Sequence, residues 1–354
     1  MERAVVDIAH ALQGKAVRSI VASGGGPWVE RLSAPGIRHI TVPLNQRRHF
    51  QRSFRAIVQL IRNERPLLVH ARSQSAVACA ATAVEAFAPA ERPRLIVTSH
   101  SYGDAEIPDE QWQAADRVIA VSRSLSDHLL QYRPGLGSKI RIVPRGVDLA
   151  HYSRGYGAPE DWLRGVERRH PELANKQWIT LVGRYSRWKG QRRFLSIVDE
   201  LGRENSSLHG VCVGAAPYRR HRRYLRRLRW RARLTGVRNF SCLEAEDDLS
   251  NVYGRSCCVV SLSDDPPESY GRALMEALAC GVPVIGYDHG GATESAFSVF
   301  PQGAVRPRDD AAVAQRIRSF LHSPPTVPAI PRSFDSDNML RSVMDVYREL
   351  GVDV

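Results

Sequence analysis

The chain has 354 residues, 43% hydrophobic and 25% charged. That is enough length for two or three domains, and the composition excludes a disulfide-stapled miniprotein, a disordered chain and a coiled coil. Fifty Lys and Arg against 37 Asp and Glu leave a net charge of +13, so the partners to consider are anionic: nucleic acid, phosphorylated small molecules or an acidic membrane surface.

The chain opens in a helical pattern at 2–12, with Val5, Ile8, Ala9 and Leu12 apolar. Short β-branched runs then alternate with amphipathic segments, and strands are expected at 19–22, 39–42, 67–70, 95–98, 117–120 and 140–143. A polar, glycine-marked stretch at 153–171 follows, after which strands are expected at 178–182, 210–213, 257–261 and 283–286, and a last helix at 336–350 follows the proline-rich 324–331 segment. This alternation predicts an α/β protein of two doubly wound domains joined near 144–148. Ligands of such sheets sit at the carboxyl ends of the strands. The most apolar stretch, 76–88, carries Glu85 and is too short to cross a bilayer. The six cysteines form no CxxC pair and no zinc spacing, which reads as buried thiols in a reducing cytoplasm.

No strand precedes the opening helix, although the first strand of a doubly wound domain is a central one. Its loss would leave two neighbours unpaired inside the sheet. The expectation is that Met1 is an internal methionine and that a strand with its loop lies upstream; the alternative is a variant fold with a shortened sheet.

Two segments carry chemistry. In Gly183-Arg184 through Lys189-Gly190 a strand ends in glycine and runs into a helix, which offers a close backbone approach, unpaired N–H groups and two positive charges to a diphosphate. In Glu268-Ser269-Tyr270-Gly271 through Glu276 two carboxylates bracket the start of a helix, and paired acceptors suit the diols of sugars and ribose. The plainer alternatives are solvated surface for Arg184 and Lys189, a helix-terminal charge for Glu268 and an exposed helical Glu276. Asp264-Asp265 is only a partial ligand set for a divalent ion, and no metal and no cofactor is expected.

The second segment resembles the Glu-x7-Glu signature of the GT-B glycosyltransferases of family 4, and Gly183-Arg184 to Lys189-Gly190 resembles that family's Gly-Arg-x4-Lys-Gly loop. Val69 to Arg72, Thr98-Ser99-His100 and Val143 to Asp148 resemble its strand ends and interdomain turn. The resemblance implies two facing Rossmann-like domains: an acceptor domain at 1–146 lacking its first strand, a nucleotide-sugar donor domain at 147–332, and a terminal helix, 333–354, that crosses back to the first. It also implies roles. Arg184 and Lys189 would bind the donor diphosphate, Glu276 the ribose, and Glu268 the transferred sugar. Gly183, Gly271 and Tyr270 would face the donor, and His100 the reacting sugar or acceptor. Gly290 and Gly291 would form a further active-site turn, for which a plain strand-to-helix connection is the alternative. Members of this kind retain anomeric configuration by front-face displacement. Two departures stand out: Ser269-Tyr270-Gly271 replaces the usual Gly-Phe-Gly, and Arg145 the commoner asparagine. The missing amino-terminal Gly-Gly loop puts the activity of the chain as it stands in question.

Arginine is concentrated at 218–233, nine in sixteen residues, interrupted by Tyr224, Leu225, Leu228 and Trp230. This suits an outer helix whose apolar side packs on the sheet, a membrane-surface helix or a nucleic-acid stripe. A second basic stretch, 47–62, interleaves Phe50, Phe54, Ile57 and Leu60. Membrane docking is placed there, on Arg47, Arg48, Arg52 and Arg55. The function expected is a retaining, metal-independent glycosyltransferase, peripherally bound at the cytoplasmic face of the membrane, that takes a nucleotide-sugar donor and a lipid-linked or lipopolysaccharide-type acceptor. The alternatives are a sugar-nucleotide epimerase of the same architecture and a basic nucleic-acid-binding protein; nucleic acid is not the partner expected.

Overall fold

The computed structural model describes residues 2–15, 17–44, 49–244 and 248–354. The chain divides into two compact units, residues 1–146 with 336–354, and residues 147–335. Both are α/β, and every strand pairing in them is parallel.

The first unit contains α1 (Glu2–Ala11), β1 (Ser19–Ser23), β2 (Ile37–Thr41), α2 (Phe50–Glu64), β3 (Leu68–Ala71), α3 (Gln74–Glu85), β4 (Arg94–Ser99), α4 (Asp109–Gln113), β5 (Arg117–Ala120), α5 (Arg123–Tyr132) and β6 (Ile140–Ile142). The hydroxyls of Ser73 and Ser122 accept the backbone N–H of Ala76 and Leu125, capping α3 and α5. The strands form two sheets, β1-β2 and β3-β4-β5-β6. Among the described residues β1 bonds only to β2, and β3 only to β4, so each keeps an open edge. The consequence is visible in burial: every residue of β1 is half-buried, whereas β4 is buried from Leu95 to Ser99. Helix α1 serves both sheets. Its Ala4 and Ile8 pack with Ile96, Ile119 and the C-terminal helix Ser336–Arg348, while its Val6 and Ala9 pack with Leu32 and Val21.

The second unit contains α6 (Glu160–Arg169), β7 (Gln177–Val182), α7 (Gln191–Glu204), β8 (Leu208–Gly214), α8 (Arg219–Leu234), β9 (Phe240–Glu244), α9 (Ser250–Arg255), β10 (Ser256–Ser261), α10 (Arg272–Ala279), β11 (Val284–Tyr287), α11 (Gly291–Glu294), α12 (Ala296–Val299), β12 (Ala304–Val305) and α13 (Asp310–His322). Its sheet runs β12-β11-β10-β7-β8-β9. Strands β7 and β10 are therefore neighbours whose following crossovers lead in opposite directions, which makes the gap between their carboxyl ends the topological switch point. Three elements depart from the sequence expectation. The stretch 153–171 contains α6, which buries Val166 against the core; β9 and β12 are additional strands. Strand β12 has only two residues, too few to show alternation, and β9 follows a polar turn after the arginine-rich helix.

Candidate active site

The loop after β7 is tied down at both ends. Tyr185 is buried, its hydroxyl 2.8 and 2.6 Å from the carbonyl oxygens of Cys212 and Leu243. Gly190 has φ 76° and a built Cβ would lie 2.4 Å from the Leu262 carbonyl oxygen, so the loop after β7 approaches that after β10 at a distance only glycine permits. Just before the first anchor the Arg184 side chain is exposed, its carbonyl accepting the Gln191 amide at 2.9 Å. Gly183 packs against the Lys189 stem, 3.3 Å from the position a Cβ would take.

Lys189 is turned inward. Its ammonium pairs with the Glu268 carboxylate, both side chains largely buried, and lies 4.2 Å from the centre of the Trp188 ring. Glu268 also accepts the Ser263 hydroxyl at 2.6 Å. Burial by itself would raise its carboxyl, but the Lys189 charge and the hydroxyls of Ser263 and Ser261 outweigh it and hold the group below the usual range. A carboxylate with donors on one side keeps acceptor capacity on the other. The plain helix-terminal role does not describe Glu268, whose partners come from the loops after β7 and β10.

Eight residues on, Glu276 is buried inside α10. It accepts the Tyr253 hydroxyl at 2.9 Å and the Arg272 Nε at 3.0 Å. Burial, then the Glu276 charge, push the Tyr253 phenol well above its ordinary value, so it remains a donor. An exposed helical glutamate is therefore ruled out. Gly271 has φ 81° and opens α10, presenting the helix amino-terminus beside Tyr270, which is buried. The Gly291 N–H donates to the Glu268 carbonyl at 2.7 Å, and a Cβ on Gly291 would lie 2.1 Å from the Ser269 carbonyl oxygen. With Gly290 at φ 65°, this turn packs on the Glu268–Tyr270 backbone. Asp264 is engaged by Arg308 at 2.8 Å and Arg193 at 3.6 Å.

A cavity of about 740 Å³ adjoins these loops at the carboxyl ends of β8 and β9. It is walled by residues 214–217, by Arg222, Arg226 and Arg229 of α8, and by Glu244. Gly214 and Gly183 make the link, since a Cβ on Gly214 would lie 1.9 Å from the Gly183 carbonyl oxygen. Sequence reading missed the cavity, although the arginines at i, i+4 and i+7 were its signal.

In the first unit His100 follows β4, its backbone N–H donating to Asp104 at 2.7 Å. Both ring nitrogens are buried without a hydrogen-bond partner among the described residues. Burial first, then the guanidiniums of Arg145 and Arg72, push the ring well below the usual imidazole range, so it is neutral at physiological pH. Arg72 is half-buried, and desolvation lowers it to about 10, still cationic. His70 differs: its nitrogens lie 2.8 Å from the Tyr347 hydroxyl and 2.6 Å from that of Thr98. Arg52 and Arg55 are exposed on α2, whose Ile57 enters the core and whose Phe50, Phe54 and Leu60 pack against it. Among the described residues of this basic stretch no large apolar side chain is exposed. Arg47 and Arg48 lie outside the described residues.

Two family models meet along the chain. Residues 1–151 match Glycosyltransferase Family 4, and residues 166–332 match Glycosyl transferases group 1. Each unit is thus similar to a glycosyltransferase domain, the first to family 4 and the second to group 1. Its curated relatives include the D-inositol 3-phosphate glycosyltransferase of Segniliparus rotundus, 28% identical over 233 residues, 63% of this chain and 46% of that protein. The same-named protein of Rhodococcus jostii is 30% identical over 181 residues, 50% of this chain and 38% of that protein. The chain thus spans less than half the length of these relatives. Among solved structures, Anabaena HepE in complex with UDP-glucose superposes with a TM-score of 0.80 at 20% identity, over 98% of this chain and 95% of that one. A Rickettsia africae glycosyltransferase gives 0.77 at 22%, over 100% and 95%. At these identities the likeness establishes the GT-B fold of two Rossmann-like units.

Proposed function

We propose that the protein transfers a sugar from a nucleotide-sugar donor, with retention and without metal, to a lipid-linked or lipopolysaccharide-type acceptor at the cytoplasmic face of an anionic membrane, where it is peripherally bound. The observation that carries the donor half is the Lys189–Glu268 pair at the switch point of the second unit, flanked by the amino-terminus of α10 and by the arginine-walled cavity. Arg184 and Lys189 bind the diphosphate and neutralise the charge that grows on it as it leaves. Glu276 reads the ribose through Tyr253 and Arg272, Glu268 orients the transferred sugar, and the cavity takes the base. The departing phosphate oxygen accepts the proton of the attacking hydroxyl, so no side-chain nucleophile is required. His100 is neutral and unpartnered, suited to donate to one hydroxyl and accept from another. Asp264, occupied by two arginines, is not laid out as a cation ligand. Support for the donor class comes from the neighbour that holds UDP-glucose.

The test is a panel of UDP-, GDP-, ADP- and CMP-sugars in thermal unfolding, followed by product analysis with the stabilising donor and lipid-linked acceptors. Stabilisation by one donor and its nucleoside diphosphate, lost in Lys189→Ala, is expected. A panel in which no nucleotide sugar shifts the transition would overturn the reading.

A further inference from the structure

Helix α8 has two opposite faces of very different chemistry. His221, Leu225, Leu228 and Ala232, spaced 4, 3 and 4 apart, are buried. Displaced by two residues, about 200° around the axis, runs an equally regular stripe of Arg223, Arg227, Trp230 and Leu234. Trp230 is 63% exposed and Leu234 64%; among the described residues only Leu67 is a large apolar side chain as exposed as these. Between Glu204 and Glu244 the sequence holds ten arginines and no acidic residue, so the helix carries no carboxylate to neutralise its own charge. Arg229 and Arg222 donate to the carbonyl oxygens of Cys242 and Pro217, which leaves their charges uncompensated by those contacts.

We propose that the outer face of α8 is the surface by which the protein docks on an anionic lipid bilayer, Arg223 and Arg227 engaging headgroup phosphates while Trp230 and Leu234 enter the interface. A tryptophan and a leucine one turn apart, ringed by guanidiniums, match the layered chemistry of a headgroup region, apolar below and anionic above. A nucleic-acid groove uses the charge but gains nothing from the leucine. The inner face, packed on the unit, makes the helix a rigid ledge that needs no folding on binding. On α2 the described apolar side chains, Phe50, Phe54 and Leu60, are drawn against the core and none is exposed as Trp230 and Leu234 are, so Arg52 and Arg55 contribute attraction without insertion. Membrane docking rests on the proposed function only for the acceptor it brings within reach. Vesicle binding is measured without sugar transfer, and donor binding without vesicles, so either reading can fail alone.

The experiment is co-sedimentation of the full chain with phosphatidylcholine vesicles with and without phosphatidylglycerol, at low and high salt, beside a duplex RNA competitor. Wild type is expected to bind only the anionic vesicles, and less in high salt. Arg223→Glu with Arg227→Glu should weaken binding at least ~25-fold, about fivefold for each charge removed. Trp230→Ser with Leu234→Ser should weaken it about tenfold and abolish quenching of tryptophan emission by brominated lipid. All four positions face outward, so thermal unfolding and its shift by nucleotide sugars should be unchanged in both variants. The assignment is overturned by absent binding, by a serine variant that binds like wild type, by loss through Arg52→Glu with Arg55→Glu alone, or by RNA that outcompetes vesicles at equal phosphate.

Discussion

Lys189 and Glu268 are each other's counter-charge before any substrate arrives, and this predicts a stability coupling readable apart from catalysis. Their side chains are 13% and 17% exposed. Removing one partner of a pair this buried costs ~3 to 5 kcal/mol, because the other charge stays desolvated. After Lys189→Met the serine hydroxyls still serve Glu268, which places the cost near the lower end, ~3 kcal/mol. Glu268→Gln costs less, since a lysine stem can swing its ammonium toward water. The double variant should be close to the glutamine variant alone, giving a coupling energy of ~2 to 3 kcal/mol. The pH dependence has a definite sign. The Glu268 carboxyl is depressed in the folded wild type, so its contribution is complete above its unfolded value, roughly 4.3, and is lost as pH falls through the lower folded value. In Lys189→Met burial is no longer outweighed and the folded value rises. The penalty is then largest at neutral pH and shrinks toward about pH 5. Urea unfolding of the wild type, both single variants and the double, at the two pH values, decides the matter. A coupling under ~0.5 kcal/mol, the size of an exposed pair, or a cost that does not change with pH, would refute the reasoning.

Arg184 is exposed, so Arg184→Ala should move the unfolding free energy by less than ~0.5 kcal/mol while transfer falls about a hundredfold; the contrast with Lys189 is read from turnover and urea midpoints together. Gly291→Ala puts a methyl 2.1 Å from the Ser269 carbonyl oxygen, and thermal-shift titration should show donor affinity lost through displacement of Glu268, a result that unchanged affinity would contradict. His100→Ala deletes a half-buried ring whose buried nitrogens have no hydrogen-bond partner among the described residues, so single-turnover assays should record a loss of about a hundredfold in transfer without a comparable loss of stability.

The alternation of strands and helices was legible because buried parallel strands are near-continuous apolar runs rich in β-branched residues, as in Trp178 to Val182, and need no partner to be recognised. The short elements were not. Ala304 and Val305 become a strand only because β11 offers them an edge, and α6 was hidden by an apolar side narrowed to Trp162, Leu163 and Val166 among polar residues. The same division holds in the site. Gly183, Arg184, Lys189, Glu268 and Glu276 could be singled out by their place after predicted strands and by their resemblance to family motifs, whereas Tyr253, Ser263 and the arginine-walled cavity meet them only through the order of the sheet.

That order also explains why a lysine and a glutamate separated by 79 residues share one ion pair. Each follows one of the two strands that flank the switch point, so the loops that carry them converge on the same gap. Two like charges placed there would repel, and one alone would leave a desolvated ion without compensation. Opposite charges balance while the site is empty. Under the proposed function, a diphosphate then takes over the lysine and the hydroxyls of the transferred sugar take over the glutamate. Neither charge is left unsatisfied when both halves of the donor arrive together, whereas a nucleotide or a free sugar alone satisfies only one. The pair thereby favours the intact nucleotide sugar over its fragments, a preference set by the electrostatics of the empty site.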